Sequence, residues 1–192
     1  MKRLLLILIL LVFSLSGCAR TVTSPLKKIV EVSFSFSETL GGEQKNYIAV
    51  VFNMNKEPIW ENLSTWKNFI LFNGDKFYKG VNGDQNLKID QEKGDINLDN
   101  LTEVTYGTYD NGSIRLQIPL INLYENNIEP DQLYINVIFF NVYYDPNTGY
   151  YLNKNDDLLM TNSDGILLKL IRGSSVTAND SLKIKNFNAK FY

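Results

Sequence analysis

Hydrophobic and polar positions alternate along much of the chain beyond residue 28. Val30, Val32, Phe34 and Phe36 are interleaved with Glu31, Ser33 and Ser35, the period of two expected of a strand with one buried face. Residues 47–54 break that rhythm. Nearly all are apolar, β-branched or aromatic, which predicts a central strand covered on both faces. Residues 133–144 have the same character and form the longest strand candidate.

Turn signals separate these runs. Residues 69–72 and 76–79 flank Asn73-Gly74-Asp75, a hairpin signature. Residues 104–109 and 113–119 flank Asp110-Asn111-Gly112. In the second arm Ile114, Leu116 and Ile118 face one way and Arg115 and Gln117 the other, with Pro119 ending the pairing. The polar stretch 80–100 predicts loops around a short strand at 87–89. Asp145-Pro146-Asn147-Thr148-Gly149 predicts a turn into a strand at 150–152. Asn162-Ser163-Asp164-Gly165 predicts another turn, before a strand at 166–171, and residues 182–191 predict a closing strand. Residues 61–68 and 120–127 have room for a helical turn or two, and no long amphipathic helix is legible. The expectation is an all-β chain forming a single antiparallel β-sandwich, immunoglobulin-like or jelly-roll-like, after an N-terminal signal helix.

The first residues follow a different logic. Lys2 and Arg3 precede an apolar run over 4–13, too short to span a bilayer as a helix but suited to the h-region of a signal peptide. Leu15-Ser16-Gly17-Cys18 ends it. These four residues resemble the lipobox of bacterial lipoproteins: a large apolar residue, two small ones and the cysteine. The resemblance implies cleavage before Cys18, a diacylglycerol on its thiol and acylation of the new amine. The expected organisation is a lipoprotein signal peptide at 1–17, a lipidated tether at 18–28 and a β-sandwich domain at 29–192. Two or three acyl chains anchor stably, each buried methylene contributing about 0.8 kcal/mol. Ala19 follows the cysteine where Asp typically marks retention at the inner membrane. The expected location is therefore the cell envelope: the outer membrane if the organism has two, otherwise the outer face of the plasma membrane.

Composition narrows the chemistry. The 192 residues contain no histidine and one cysteine. Ser-His-Asp and Cys-His catalysis and His-ligated zinc or haem are thereby excluded. A single cysteine forms no internal disulfide. The formal charge is −2, two units more negative once Lys2 and Arg3 leave with the signal peptide, and this argues against a nucleic-acid partner. Asparagine is frequent, which reads as a matter of composition.

Three constellations offer candidate binding chemistry. Trp60 and Trp66 lie six apart on one connection and could present aromatic faces to a sugar ring. The simpler reading makes them a hydrophobic plug over an open end of the sandwich. Tyr47, Tyr106, Tyr109 and Tyr143 share that ambiguity. Asp145, Asn147 and Gly149 mimic the start of a calcium loop, with Asp156 and Asp157 as further oxygens. The glycine is one position early and no Glu stands at the twelfth, and a β-turn explains residues 145–149 without calcium. Asp84, Asp90, Glu92, Asp95 and the Asp156-Asp157 pair are loop carboxylates that no motif joins across a cleft, as a glycosidase requires. No cofactor is expected beyond that calcium candidate.

Residues 113–120, Leu123 and the long strand ending at Asp145 resemble the second half of family 9 carbohydrate-binding and DOMON-like sandwiches, in which an Ile-Pro-Leu segment precedes a strand ending in an acidic loop. The resemblance covers about 35 residues and implies a sandwich that binds sugar or a small ligand. The first half of the chain departs from the pattern, so no ligand residue carries over. The functional expectation is a non-enzymatic, membrane-anchored binding or interaction module for a carbohydrate or small ligand. The alternative is a structural or accessory subunit of an envelope protein complex.

Overall fold

The computed structural model describes residues 28–37, 45–59, 62–90, 95–124, 130–142 and 160–192. Two antiparallel sheets pack face to face as a β-sandwich. The five-stranded sheet has the order β12 (Ser175–Thr177), β13 (Ile184–Phe191), β1 (Ile29–Phe36), β9 (Ser113–Pro119) and β8 (Gly107–Asp110). The six-stranded sheet runs β11 (Met160–Ile171), β10 (Gln132–Val142), β2 (Lys45–Asn53), β3 (Asn68–Phe72), β4 (Phe77–Val81) and β7 (Thr102–Val104). A small hairpin, β5 (Lys88–Asp90) and β6 (Asp95–Asn97), forms a third layer.

The layers explain the two sequence rhythms. In β1 and β9 every second residue enters the space between the sheets: Val30, Val32, Phe34 and Phe36, and Ile114, Leu116 and Ile118. They meet Ile48, Val50 and Phe52 of β2 and Leu133, Ile135, Val137 and Phe139 of β10. The other faces of β2, β3 and β10 are also apolar. Tyr47, Ala49, Val51, Phe69, Leu71, Ile138 and Phe140 form a second core with Trp66, Leu87, Ile89 and Ile96. The lid made by residues 82–90 and 95–98 therefore converts an exposed sheet face into an interior one, and strands buried on both faces read as unbroken apolar runs.

Trp66 closes that second core. Its indole is fully buried, edge-on to Phe69 and Phe140 at centroid distances of 5.8 and 6.4 Å. Its Nε1–H donates to the Ile59 carbonyl at 3.0 Å. Two buried asparagines hold the same connection. Asn53 donates to the Thr65 carbonyl and accepts from the Lys67 amide, and Asn136 donates to the Pro58 carbonyl. Each replaces water at a backbone group that burial would otherwise strand. Phe69 lies over Gly80 on the neighbouring strand, where a Cβ would fall 2.1 Å from its ring.

Several sequence expectations need correction. The strand expected at 104–109 is two strands in different sheets. β7 pairs with β4, the chain crosses at Thr105-Tyr106, and β8 pairs with β9. Gly107 makes the crossing tight: a Cβ there would press on Phe77 and Leu116. The turn expected at 162–165 is instead part of β11. The register of β10 with β11 shifts between Phe139 and Asn141, so turn-type residues sit in a bulge. β12 and the helical turn Gly83–Asn86 carry weak periodicity and were not foreseen. The helical turns expected in 61–68 and 120–127 are a single 3-10 turn at Leu63–Thr65 and one turn at Leu120–Leu123. The Asn111-Gly112 turn has φ of 46° and 76°, the two positive values that such a hairpin demands.

Removing the indole should cost more than an exposed aromatic would. Trp66→Ala is expected to lower unfolding free energy by about 3–5 kcal/mol, read as a shift of the urea midpoint with m unchanged. A shift below about 1 kcal/mol would mean that the second core does not depend on this side chain.

Candidate functional site

Among the described residues singled out from sequence, Tyr47 and Asp95 meet beside the second core, away from the hollow described below. Trp66 has no exposed ring face, so the sugar-platform reading fails for this residue; it is a hydrophobic plug, but beneath the lid on the six-stranded sheet and not over an open end of the sandwich. Tyr47 is buried, and its hydroxyl donates to Asp95 in the lid. Tyr109 is partly exposed, with its ring stacked on Phe36. Tyr106 packs against the core between the sheets. Asp90 and Asp95 face each other across the β5–β6 hairpin rather than across a cleft. Cys18, Trp60, Glu92, Tyr143, Asp145, Asn147, Asp156 and Asp157 lie outside the described residues, so the lipid attachment site, the second tryptophan and the calcium candidate are not placed. Among the described residues no group of three or more acidic or cysteine side chains converges on a point.

One concavity has the makings of a binding site. It lies on the outer face of the five-stranded sheet, about 470 Å³ in volume, and spans β13, β1, β9 and β8. The period of two creates it. The residues that alternate with the core positions are Ser33 and Ser35 on β1, Ser113 and Arg115 on β9, and Thr108 on β8. Register places them side by side: Ser33 opposite Arg115, Arg115 opposite Thr108, Ser35 opposite Ser113. Short side chains around one long one leave a hollow floored by backbone.

Its wall is a bulge in β13. The register with β1 shifts between Ser33 and Ser35, and Asn186 adopts φ of 52°. Asparagine tolerates that left-handed conformation better than most residues. The Asn186 amide is held by the Asp180 carboxylate at 2.9 Å, and its side-chain nitrogen donates to the Ser35 hydroxyl at 3.0 Å.

The turn that leads into this bulge is clipped by Asp164 of β11. Its carboxylate accepts from the Ser181 hydroxyl and from the Lys183 amide. Burial alone would raise the Asp164 pKa. The hydrogen bonds from Ser181 and from the amides of Lys183, Ile184 and Gly165 outweigh it and hold the carboxyl below the usual carboxylate range.

Electrostatically the hollow is mixed. Arg115 and Asp110 are its charged side chains. The Glu31 carboxylate, one step along the sheet, accepts from Gln117 at 2.9 Å and from the Tyr192 hydroxyl at 3.1 Å. No hydrogen bond or ion pair joins Arg115 to a described residue. The Phe34 and Ile114 side chains beneath point into the core, so no aromatic ring faces the hollow.

A second hollow, of about 450 Å³, lies at the opposite end of the sandwich, beside the connection 54–67. Tyr124 borders it with a buried hydroxyl that lacks a partner among the described residues, and burial raises its pKa. The Asn53 side chain there is already used in holding Thr65 and Lys67. The two ends differ in another way. The chain enters at Lys28, whose carbonyl accepts from Leu120, and the turn after Ile171 shares that end. The hollow around Arg115 occupies the far half, beside the Asn111-Gly112 turn. No protein-family model, curated protein or solved structure matches the chain.

The Asp164 clip carries a pH signature. Because its native pKa is depressed, its stabilisation is complete above the ordinary aspartate value of the unfolded chain and is lost as pH falls through the native value. Urea midpoints measured from pH 7 to pH 3 should fall less steeply for Asp164→Asn than for the unaltered protein, with Asp164→Asn already lower at pH 7. Parallel curves would show that the clip is not formed.

Proposed function

We propose that this protein is a lipid-anchored bacterial cell-envelope binding module. Cys18 carries the anchor, and the outer face of the five-stranded sheet binds a polyhydroxylated ligand of the carbohydrate class. The supporting observation is the hollow itself: Ser33, Ser113 and Thr108 share one sheet face with Ser35 and Asn186, which are hydrogen-bonded to each other. A hydroxylated ligand exchanges bonds with water for bonds with such groups at little net loss, and orientation comes from their fixed spacing.

The position relative to the tether supports the same reading. β1, the strand that follows the expected tether, begins at Ile29 on the end away from the hollow. A domain tethered there projects its ligand face from the membrane. The six-stranded sheet has no equivalent face at its centre, since the lid covers it.

The reading is non-catalytic. Histidine is missing from the chain, and of the hollow's two charged side chains only Asp110 is a carboxylate. Glycoside hydrolysis requires a pair.

A second reading, an accessory subunit of an envelope complex, rests on β11. Among the described strands this one, of 12 residues, lies at one edge of its sheet, and it exposes Leu167 and Ile171. Edge strands add partner strands through their unpaired backbone groups.

Two experiments separate these ideas. Cys18→Ser should stop lipidation and release the protein from the membrane fraction; retention of the full amount in that fraction would contradict the anchor. In a glycan array, the purified processed protein should bind a subset of oligosaccharides. Ser35→Phe, which fills the hollow, should weaken that binding at least tenfold. Binding unchanged by Ser35→Phe would move the site elsewhere, and no glycan binding together with a specific partner crosslinked at Leu167 would favour the accessory subunit.

A further inference from the structure

We propose that the ligand of this hollow is an acidic sugar, with its carboxylate on Arg115; the inference rests on the reading of the hollow as a carbohydrate site. The first ground is what the hollow lacks. Neutral sugars are commonly held by stacking a pyranose face on an aromatic ring. Phe34, the one aromatic residue that lines the hollow, points into the core; Tyr109 stacks on Phe36 and Phe72, and the exposed Tyr192 lies outside the lining, its hydroxyl on Glu31. Hydrogen bonds from serine and threonine compete with water one for one and contribute little net affinity. A charged contact must supply what stacking does not.

The second ground is the state of Arg115. It stands on β9 between Ser33 and Thr108, and neither is hydrogen-bonded to it. Its strand neighbours at two residues' distance are Ser113 and Gln117, and Gln117 is engaged with Glu31. Glu31 accepts from Gln117, directly across the strand pair, and from Tyr192, and Arg115 has no ion pair among the described residues. A guanidinium presents a planar fork that fits a carboxylate through two parallel N–H···O bonds, a stronger contact than any neutral one available here.

The third ground is the complement around it. Asp110 lies across from Ser113 at the same wall and accepts only; with Asn111 and Asn186 it suits sugar hydroxyls. Its negative charge disfavours a ligand of high anionic density such as a phosphate polymer, because one cation then faces many anions. A single carboxylate on a hydroxylated ring matches one cation, one acceptor and several hydroxyls. The site thus fits a uronic-acid type residue within a glycan.

The test uses the processed full-length protein in detergent and paired oligosaccharides: oligomers of galacturonate, glucuronate and mannuronate, each beside its carboxyl-reduced neutral form. Titration calorimetry at low salt should give at least tenfold tighter binding to one acidic member than to its neutral partner. Arg115→Ala should erase that difference while leaving the far-ultraviolet circular dichroism unchanged. Arg115→Lys should restore part of it, since the charge returns without the fork. Raising salt to about 0.5 M should narrow the gap through screening. Equal binding of both members, or a preference that survives Arg115→Ala, would overturn the acidic-ligand proposal and leave the carbohydrate reading standing. Failure of every acidic and neutral member to bind would overturn both.

Discussion

The six-stranded sheet is wet on neither face at its centre, and the rest of the architecture follows from that burial. β2, β3 and β10 carry apolar side chains on both sides, so each side demands a cover. The five-stranded sheet supplies one. The lid of residues 82–90 and 95–98, sealed by Trp66, supplies the other. Backbone groups in the connection that carries Trp66 then need partners away from water, and Asn53, Asn136 and the indole N–H provide them. A substitution at any of these leaves a buried polar group unpaired as well as a packing defect.

Double burial of one sheet leaves the second with a single obligation. Its inner face must complete the core, while its outer face answers only to solvent and to whatever binds there. The small hydroxyl side chains of β1, β8 and β9 and the bulge at Asn186 shape that free face into a hollow. Residues outside the sheet stabilise it: Asp164 reaches from the six-stranded sheet to hold the turn that sets the bulge. Core, clip and binding face are in this way mechanically continuous, although only the last meets a ligand. Charge adds direction. Glu31 is engaged by Gln117 and Tyr192, so the arginine beside it meets the solvent with its guanidinium available.

Strand existence was largely legible in the sequence because burial writes itself into periodicity. The alternation in β1 and β9 and the unbroken runs in β2 and β10 identified one-sided and two-sided strands correctly. Where local chemistry and tertiary context disagreed, context prevailed. Asn162-Ser163-Asp164-Gly165 is strong turn chemistry, yet pairing with β10 absorbs it as a bulge, and residues 104–109 read as one strand although they divide between sheets at a glycine. The candidate site was not legible. Its polar members were visible as the outward positions of separate strands, but their convergence depends on β1 lying between β13 and β9, an order that no local pattern encodes. The tryptophans drew attention because aromatic residues are conspicuous. Trp66 turned out to serve the interior, where most of its kind serve.

The asymmetry between a doubly buried sheet and a singly buried one is directly measurable. Cysteines placed one at a time in a Cys18→Ser background, at Ala49 on the lid side of β2 and at Ser33 on the outer face of β1, report on the two faces by maleimide labelling. Ser33→Cys should label at nearly the rate of a free thiol. Ala49→Cys should label only at the rate of opening of the fold, slower by several orders of magnitude and accelerated by urea. Labelling of Ala49→Cys as fast as Ser33→Cys, in a protein that otherwise retains its native dichroism, would show that the lid does not cover the sheet and would contradict the account.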